Sequence, residues 1–502
     1  MLITILVYLA AMVGIGAVLA KQNQTTDDFY LGGRTLGPLV TAMSAEASDM
    51  SSWLLMGLPG VAYLSGTADA AWTAIGLAIG TYVNWLVVAK RLRNYTHVCG
   101  NSTTLPLFFS NRYRDNKRIL SVIAALLIII FFVPYTASGF AACGKLFANL
   151  FGMDYLPAML ISAIVIVAYT TLGGFLAAST TDFVQSIVMT IAIVVVFGFG
   201  ISKVGSFSAV MDNAKSMAGY FSLTHTHDVA TGTASPYSLL QIFSTLAWGL
   251  GYFGMPHVLL RFMAIGDANK LKLSRRVATV WVVISMAVSV FIGVIGNAMT
   301  KAGVLPTLKD PETIILVVAD LISKHGVLAT IIAGLILAGI LAATMSTADS
   351  QLLAASSSAS QNILKEVFMK DMSEKTGMLI ARITVLVIAL IGVFIARNPD
   401  RSVFQIVSFA WAGFGASFGP LVLLALFWKR STFQGALCGM VSGGVMVFVW
   451  KFLIRPMGGA LGIYELLPAF LLGLAVNVIV SLLTPAPSRE VQDEFDKVAS
   501  MK

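Results

Sequence analysis

Ala45-Glu-Ala-Ser-Asp-Met-Ser-Ser-Trp53, followed by Gly57, Pro59 and Gly60, lies in the middle of an apolar run over residues 37–64. A run of that length crosses a bilayer, and in hydrocarbon every backbone N–H and C=O needs a partner. A span with Gly, Pro, Ser and two carboxylates at mid-depth therefore faces protein or water. Glu46 and Asp49 would each cost roughly 2.5 to 3.5 kcal/mol at mid-membrane, an expense without purpose in a merely structural helix. The signature returns in Trp248-Gly-Leu-Gly-Tyr-Phe-Gly-Met-Pro256, inside the run 238–263. Both segments are expected to unwind near the midplane. Unwinding frees carbonyls for a cation and exposes half-helix N-termini, whose partial positive charge suits a carboxylate. Close helix packing is the other use of such glycines, and the two carboxylates weigh against it.

The rest of the chain agrees with a lipid setting. Of 502 residues, 57% are hydrophobic and 11% charged, and the mean hydropathy is +0.85, which no soluble chain of this length sustains. Apolar runs between charged breaks give about thirteen expected spans: 2–20, 37–64, 70–89, 119–147, 156–172, 182–202, 238–263, 277–300, 329–362, 378–396, 403–428, 433–452 and 462–484. Each is long enough for a core of roughly 30 Å. The two interrupted spans are five apart, which fits two inverted five-helix repeats, 37–202 and 238–428, with a site at their junction. A single transmembrane domain, 1–484, is then expected, with an extra helix 2–20 and two C-terminal helices within 433–484. Residues 485–502 read as a short tail, too brief for a domain.

The net charge of +9 is dispersed in short clusters between spans, a topology signal and not a nucleic-acid surface. Lys90, Arg91, Arg93, Arg112, Arg114, Lys117 and Arg118 mark one cytoplasmic loop, and Lys270, Lys272, Arg275 and Arg276 another. An odd number of spans places the N-terminus outside and the tail inside. Residues 1–20 lack a basic start and a cleavage site and read as a helix, not a signal peptide. Cys99, Cys143 and Cys438 are scattered and read as apolar fillers. The polar stretch 205–236 reads as an outward loop with one surface helix. There His225 and His227 read as solvated, not as metal ligands. No His, Cys or Ser stands with a base and an orienting partner, so no enzyme is expected.

A third break, Leu341-Ala-Ala-Thr-Met-Ser-Thr-Ala-Asp-Ser-Gln351, places Ala343, Ser346, Thr347 and Ser350 on one helical face. Their hydroxyls and a carbonyl suit a small alkali cation. Bonding back to their own helix is the competing use.

At these residues the sequence resembles the sodium/solute symporter family, its proline carriers in particular. The similarity runs from Asp27-Asp-Phe-Tyr-Leu-Gly-Gly-Arg34 through Ala47-Ser-Asp-Met-Ser51, Trp53-Leu-Leu-Met-Gly-Leu-Pro-Gly60, Thr171-Leu-Gly-Gly-Phe-Leu-Ala177, Pro256-His257 and Ala343-Thr-Met-Ser-Thr347 to Gly413-Phe-Gly-Ala-Ser-Phe-Gly-Pro420. It implies an all-α, LeuT-like integral membrane fold in a bacterial inner membrane. It further implies Na+ as coupling ion, and import of L-proline by alternating access with a monomer sufficient. A sodium symporter for another amino acid, pantothenate or a monocarboxylate is the alternative.

Carried over by position, the resemblance implies a sodium site from the Ala47, Met50 and Ala343 carbonyls with the Ser346 and Thr347 hydroxyls. For substrate it implies Ser51, Trp53, Tyr135, Trp248, Tyr252 and Pro256, an aromatic cage with polar groups for a zwitterion. Asp49 resembles the family aspartate needed for tight sodium binding, Asp182 one on an ion path or second ion site, and Arg34 a residue tied to coupling. Asp349 and Ser350 are expected to face Asp182 and support a second, weaker cation. Glu46 and Ser52 depart from the glycines of the proline carriers and put the exact cargo in question.

Overall fold

The computed structural model describes residues 1–22, 24–369, 372–398 and 402–501. Among them, ten helices are long and apolar enough to cross a membrane. Large apolar side chains such as Ile3, Leu390 and Phe394 lie exposed on the outside at 76%, 68% and 63%. Polar groups such as Asp182, Gln185 and Asn84 are fully buried. This inverts the soluble pattern and leaves lipid as the outer solvent. The chain is a multi-pass membrane protein.

The breaks take particular forms. In the second expected span, helix Pro38–Ser52 runs into a π turn, Trp53–Gly57, and then helix Leu58–Ser65. The interruption is a single reversed residue, Ser51 at φ 49° and ψ −172°, not a length of extended chain. A left-handed φ at a non-glycine is strained by about 1–2 kcal/mol, so its surroundings must hold it. The seventh span opens further: helix Leu239–Leu246 tightens into a 3₁₀ stretch, Ala247–Phe253, and resumes as Pro256–Ala264. Gly249 is pressed there against the third span, where a Cβ would stand 2.2 Å from the Gly76 carbonyl oxygen.

The expected spans 156–172 and 182–202 belong to one assigned helix, Tyr155–Val204, broken at Gly174 with φ 62°. At 1.5 Å per residue its 50 residues extend about 75 Å, more than twice a hydrocarbon core, so each arm makes its own crossing. The ninth span, Val327–Ser357, continues as a π stretch, Ser358–Phe368. From Thr41 to Ser52 the helix Pro38–Ser52 is buried, packed among Tyr155–Val204, Pro256–Ala264, Leu271–Lys301 and Val327–Ser357.

The two basic loops meet on one face, as their shared charge requires. Lys90 Nζ donates to Asn269 Oδ1 (3.1 Å), and Arg93 Nε donates to the Ile265 carbonyl (2.8 Å). The stretch 205–236 holds helix Phe207–Ser216 and, beyond expectation, a hairpin pairing His225–His227 with Ala234–Pro236. No metal-competent group of His, Cys, Asp or Glu occurs among the described residues. The tail is more ordered than its length suggests. Helix Arg489–Ser500 docks on the basic face, where Arg114 pairs with Glu490 and Glu494 at 2.9 Å. Phe495 lies under the Arg91 and Arg112 guanidinium groups.

Candidate sodium and solute site

The reversed backbone at Ser51 sits beside the intact ninth span, and oxygens from both converge there. Ser346 Oγ donates to the Ala47 carbonyl (2.9 Å) and lies 3.2 Å from the Ala343 carbonyl, which also accepts from Thr347 Oγ1 (3.1 Å). Four of the five oxygens expected around sodium are thus in one cluster. The fifth, the Met50 carbonyl, accepts the Trp53 N–H and closes the turn beside it. Ser346 carries more meaning than a back-bonded serine, because its hydroxyl reaches another helix 299 positions away. Thr344 shows the contrast: its hydroxyl bonds back to Ile340 of its own helix. Hard carbonyl and hydroxyl oxygens, with no soft ligand among them, match an alkali cation.

One turn on, the aromatic side chains close around a crevice. Trp53, Tyr135 and Trp248 line it together with Asp49, Met50 and Trp411, and its volume is about 10 Å³, the size of one water. The ring centroids of Trp53 and Trp248 are 5.5 Å apart, and Phe404 stacks on Trp53 at 5.9 Å and 24°. Ser51 Oγ accepts the Trp53 N–H (3.0 Å). Tyr135 donates to the Asp49 carbonyl (3.2 Å) and Tyr252 to Asp49 Oδ2 (2.6 Å). Asp49 therefore ties three elements together around the break. Two buried polar atoms here have no partner among the described residues: Trp53 Nε1, a donor, and Asp49 Oδ1, an acceptor. Pro256 opens helix Pro256–Ala264 and is not among the residues lining the crevice.

Sequence reading missed Trp411 and Phe404. Trp411 donates its indole N–H to the Trp248 carbonyl (2.7 Å) and meets Tyr252 edge-on at 5.0 Å. Its only signal was an aromatic residue just before the glycine-rich stretch of the eleventh span.

Toward the basic face lies a second polar knot, fully enclosed. Asp182 accepts from Ser44 (2.6 Å) and pairs with Arg261 at 3.1 Å; Arg261 also donates to Ser44 (2.9 Å) and Ser350 (2.5 Å). Asp349 accepts from Tyr169 (2.6 Å) and Ser350 (3.0 Å). Asp182, Asp349 and Ser350 are together as expected, but Arg261, which sequence reading overlooked, stands between them. Glu46 points elsewhere: its Oε1 accepts the Trp85 indole N–H (2.8 Å), and its carboxyl is buried. Ser52 is buried directly after the reversed Ser51. Arg34 is a brace on the basic face, donating to the Met263 (2.6 Å) and Ser102 (2.7 Å) carbonyls. Burial and the nearby Arg93 push its pKa down to about 10, which leaves it charged at neutral pH.

A family model described as the Sodium:solute symporter family matches residues 29–443. The chain belongs to this family. A sodium/proline symporter of Salmonella typhimurium is 41% identical over 99% of this symporter and 96% of its own length. The osmoregulated proline transporter OpuE of Bacillus subtilis is 40% identical over 97% and 96%. Among solved structures, a Na+-coupled sialic acid symporter in a substrate-bound, outward-open state superposes with a TM-score of 0.79 at 19% identity, covering 97% of this symporter and 98% of that chain. Mhp1, a nucleobase-cation symporter in a closed conformation, superposes with 0.54 at 13%, covering 93% and 98%. The fold is therefore the LeuT-like one of sodium symporters, and the symporter is a secondary transporter, not an enzyme, with Na+ as its coupling ion.

Proposed function

We propose that this symporter imports L-proline with sodium across a bacterial inner membrane, one chain sufficing for transport. The observation that carries the reading is the meeting of Ser346 with the Ala47 carbonyl beside the buried Trp53 Nε1 and Asp49 Oδ1, which have no partner among the described residues. Sodium takes the Ala47, Met50 and Ala343 carbonyls and the Ser346 and Thr347 hydroxyls. It thereby pins the reversed turn to the ninth span, and with it the two groups that meet the cargo. Trp53 Nε1 donates to the carboxylate, and Asp49 Oδ1 accepts from the ammonium. Tyr135, Trp248 and Tyr252 pack the pyrrolidine ring, Ser51 holds the Trp53 backbone, and Pro256 restarts the broken span.

The ion acts by population shift: it binds the arrangement with the pocket formed and draws the chain toward it. Its inward gradient then drives release on the basic face once the Asp182–Arg261 knot opens. There Asp182 and Asp349, with Ser350, offer a second, weaker cation site when Arg261 withdraws, and Arg34 and Glu46 set the coupling. Sodium-dependent uptake of labelled proline into proteoliposomes tests the reading, and uptake indifferent to sodium would end it. A competition series against other amino acids, pantothenate and monocarboxylates separates proline from other cargo of the family.

A further inference from the structure

Between the second arm of helix Tyr155–Val204 and helix Leu271–Lys301 runs a groove of about 490 Å³. One wall carries Ile193 and Val194, the other Val280 and Ile284, and Met43 of helix Pro38–Ser52, which packs on both, lies buried at the floor. The groove opens outward: Val194, Val280 and Ile284 are 53%, 59% and 52% exposed, so its contents come from the lipid phase.

Inside, the polar groups are spent on one another. Trp281 donates its indole N–H to Thr190 Oγ1 (2.8 Å), tying the two walls together, and Ser285 donates back to the Val282 carbonyl (3.2 Å). The mouth is different. Arg276 stands there exposed, with Lys272 exposed four residues earlier on the same helical face, and neither has an ion pair among the described residues. Arg275 is turned aside onto the Tyr82 ring (5.5 Å). Ser274 donates to the Pro38 carbonyl (2.8 Å), which sets the mouth level with the start of the second span, on the basic face. From Arg276 to Ser285 the helix rises about 14 Å at 1.5 Å per residue, the depth of one leaflet of a core of roughly 30 Å.

We propose that this groove binds an anionic phospholipid of the cytoplasmic leaflet, one acyl chain lying between the walls down to Met43 and the phosphate on Arg276, with Lys272 beside it. A guanidinium fork matches a phosphate, and a basic mouth between spans on this side suits an anionic headgroup. A zwitterionic headgroup would bring its own cation to two unopposed ones. A second copy pairing the same face would do likewise with its Arg276 and Lys272.

Trp281 lines the groove and reports its occupant. The purified symporter is placed in phosphatidylcholine nanodiscs, and bromine-labelled acyl chains, which quench indole on contact, are titrated in as phosphatidylglycerol or as phosphatidylcholine. Phosphatidylglycerol is expected to quench at a lower mole fraction. That excess disappears in W281F, which removes the reporter. In R276Q the mole fraction for half-quenching rises about fivefold or more, as loss of one basic contact to an anionic headgroup requires, while R276K stays near the unaltered protein. Equal quenching by the two lipids, or an excess that survives in R276Q or W281F, overturns the site.

Discussion

Replacing Ser346 with alanine deletes one hydroxyl that bonds the Ala47 carbonyl at 2.9 Å and approaches the Ala343 carbonyl at 3.2 Å. If that oxygen is a sodium ligand, the loss is of a contact to a charged group, worth about 1.5–3 kcal/mol. At 1.4 kcal/mol per tenfold, sodium half-saturation rises roughly 10- to 150-fold. The cargo affinity at saturating sodium changes little, because Ser346 does not line the crevice. Thr344→Ala is the control, since its hydroxyl donates back to the Ile340 carbonyl of its own helix, and a shift below about threefold is expected, in line with the small worth of a neutral side-chain hydrogen bond in a membrane protein. Initial rates of proline uptake into proteoliposomes, measured across a sodium series, give both numbers. A Ser346→Ala protein that saturates like the unaltered one, or a Thr344→Ala protein impaired as badly, would refute the ligand assignment.

Arg261→Met leaves Asp182 buried without its cation and should cost about 3–5 kcal/mol, read as a lower melting temperature in detergent. Adding Asp182→Asn should restore part of it, and a double variant no better than the single contradicts the pairing. Glu312→Gln removes a charge that accepts from the Val403 and Phe404 amides. Hydrogen exchange at those two amides should speed up roughly tenfold or more, and unchanged protection would show that the cap is idle. For the tail helix, the Arg114 pairs are part-exposed and worth about 1 kcal/mol or less each, so Glu490→Gln with Glu494→Gln should barely raise proteolysis between 485 and 489. Phe495→Ala should raise it clearly, and the reverse order would mean that charge, not packing, holds the helix.

Mid-span charge was the legible feature. Glu46 and Asp49, placed where hydrocarbon forbids them, announced a broken helix before any coordinates, and the spacing of Ala343, Ser346 and Thr347 announced the face that meets it. What escaped depends on partners distant in the chain. Arg261 looks like one basic residue near a span end until Asp182, 79 positions away, is brought against it. Trp411 and Phe404 look like ordinary packing in the eleventh span. The form of the break was not legible either: the second span is interrupted by one reversed serine and a π turn, with the Met50 carbonyl still engaged by the Trp53 N–H. Gly174 hid differently: apolar residues on both sides gave two spans, but nothing local told whether a loop or one reversed glycine joined them.

Trp53, Trp248 and Trp411, three of the chain's 8 tryptophans, lie within 6.2 Å of a neighbouring indole around the crevice. Indoles this close share excitation and quench one another. The molecule thus contains its own optical gauge: whatever parts these rings alters emission without any attached dye. Arrival of ion and cargo can be timed separately in a stopped-flow cell on unmodified protein.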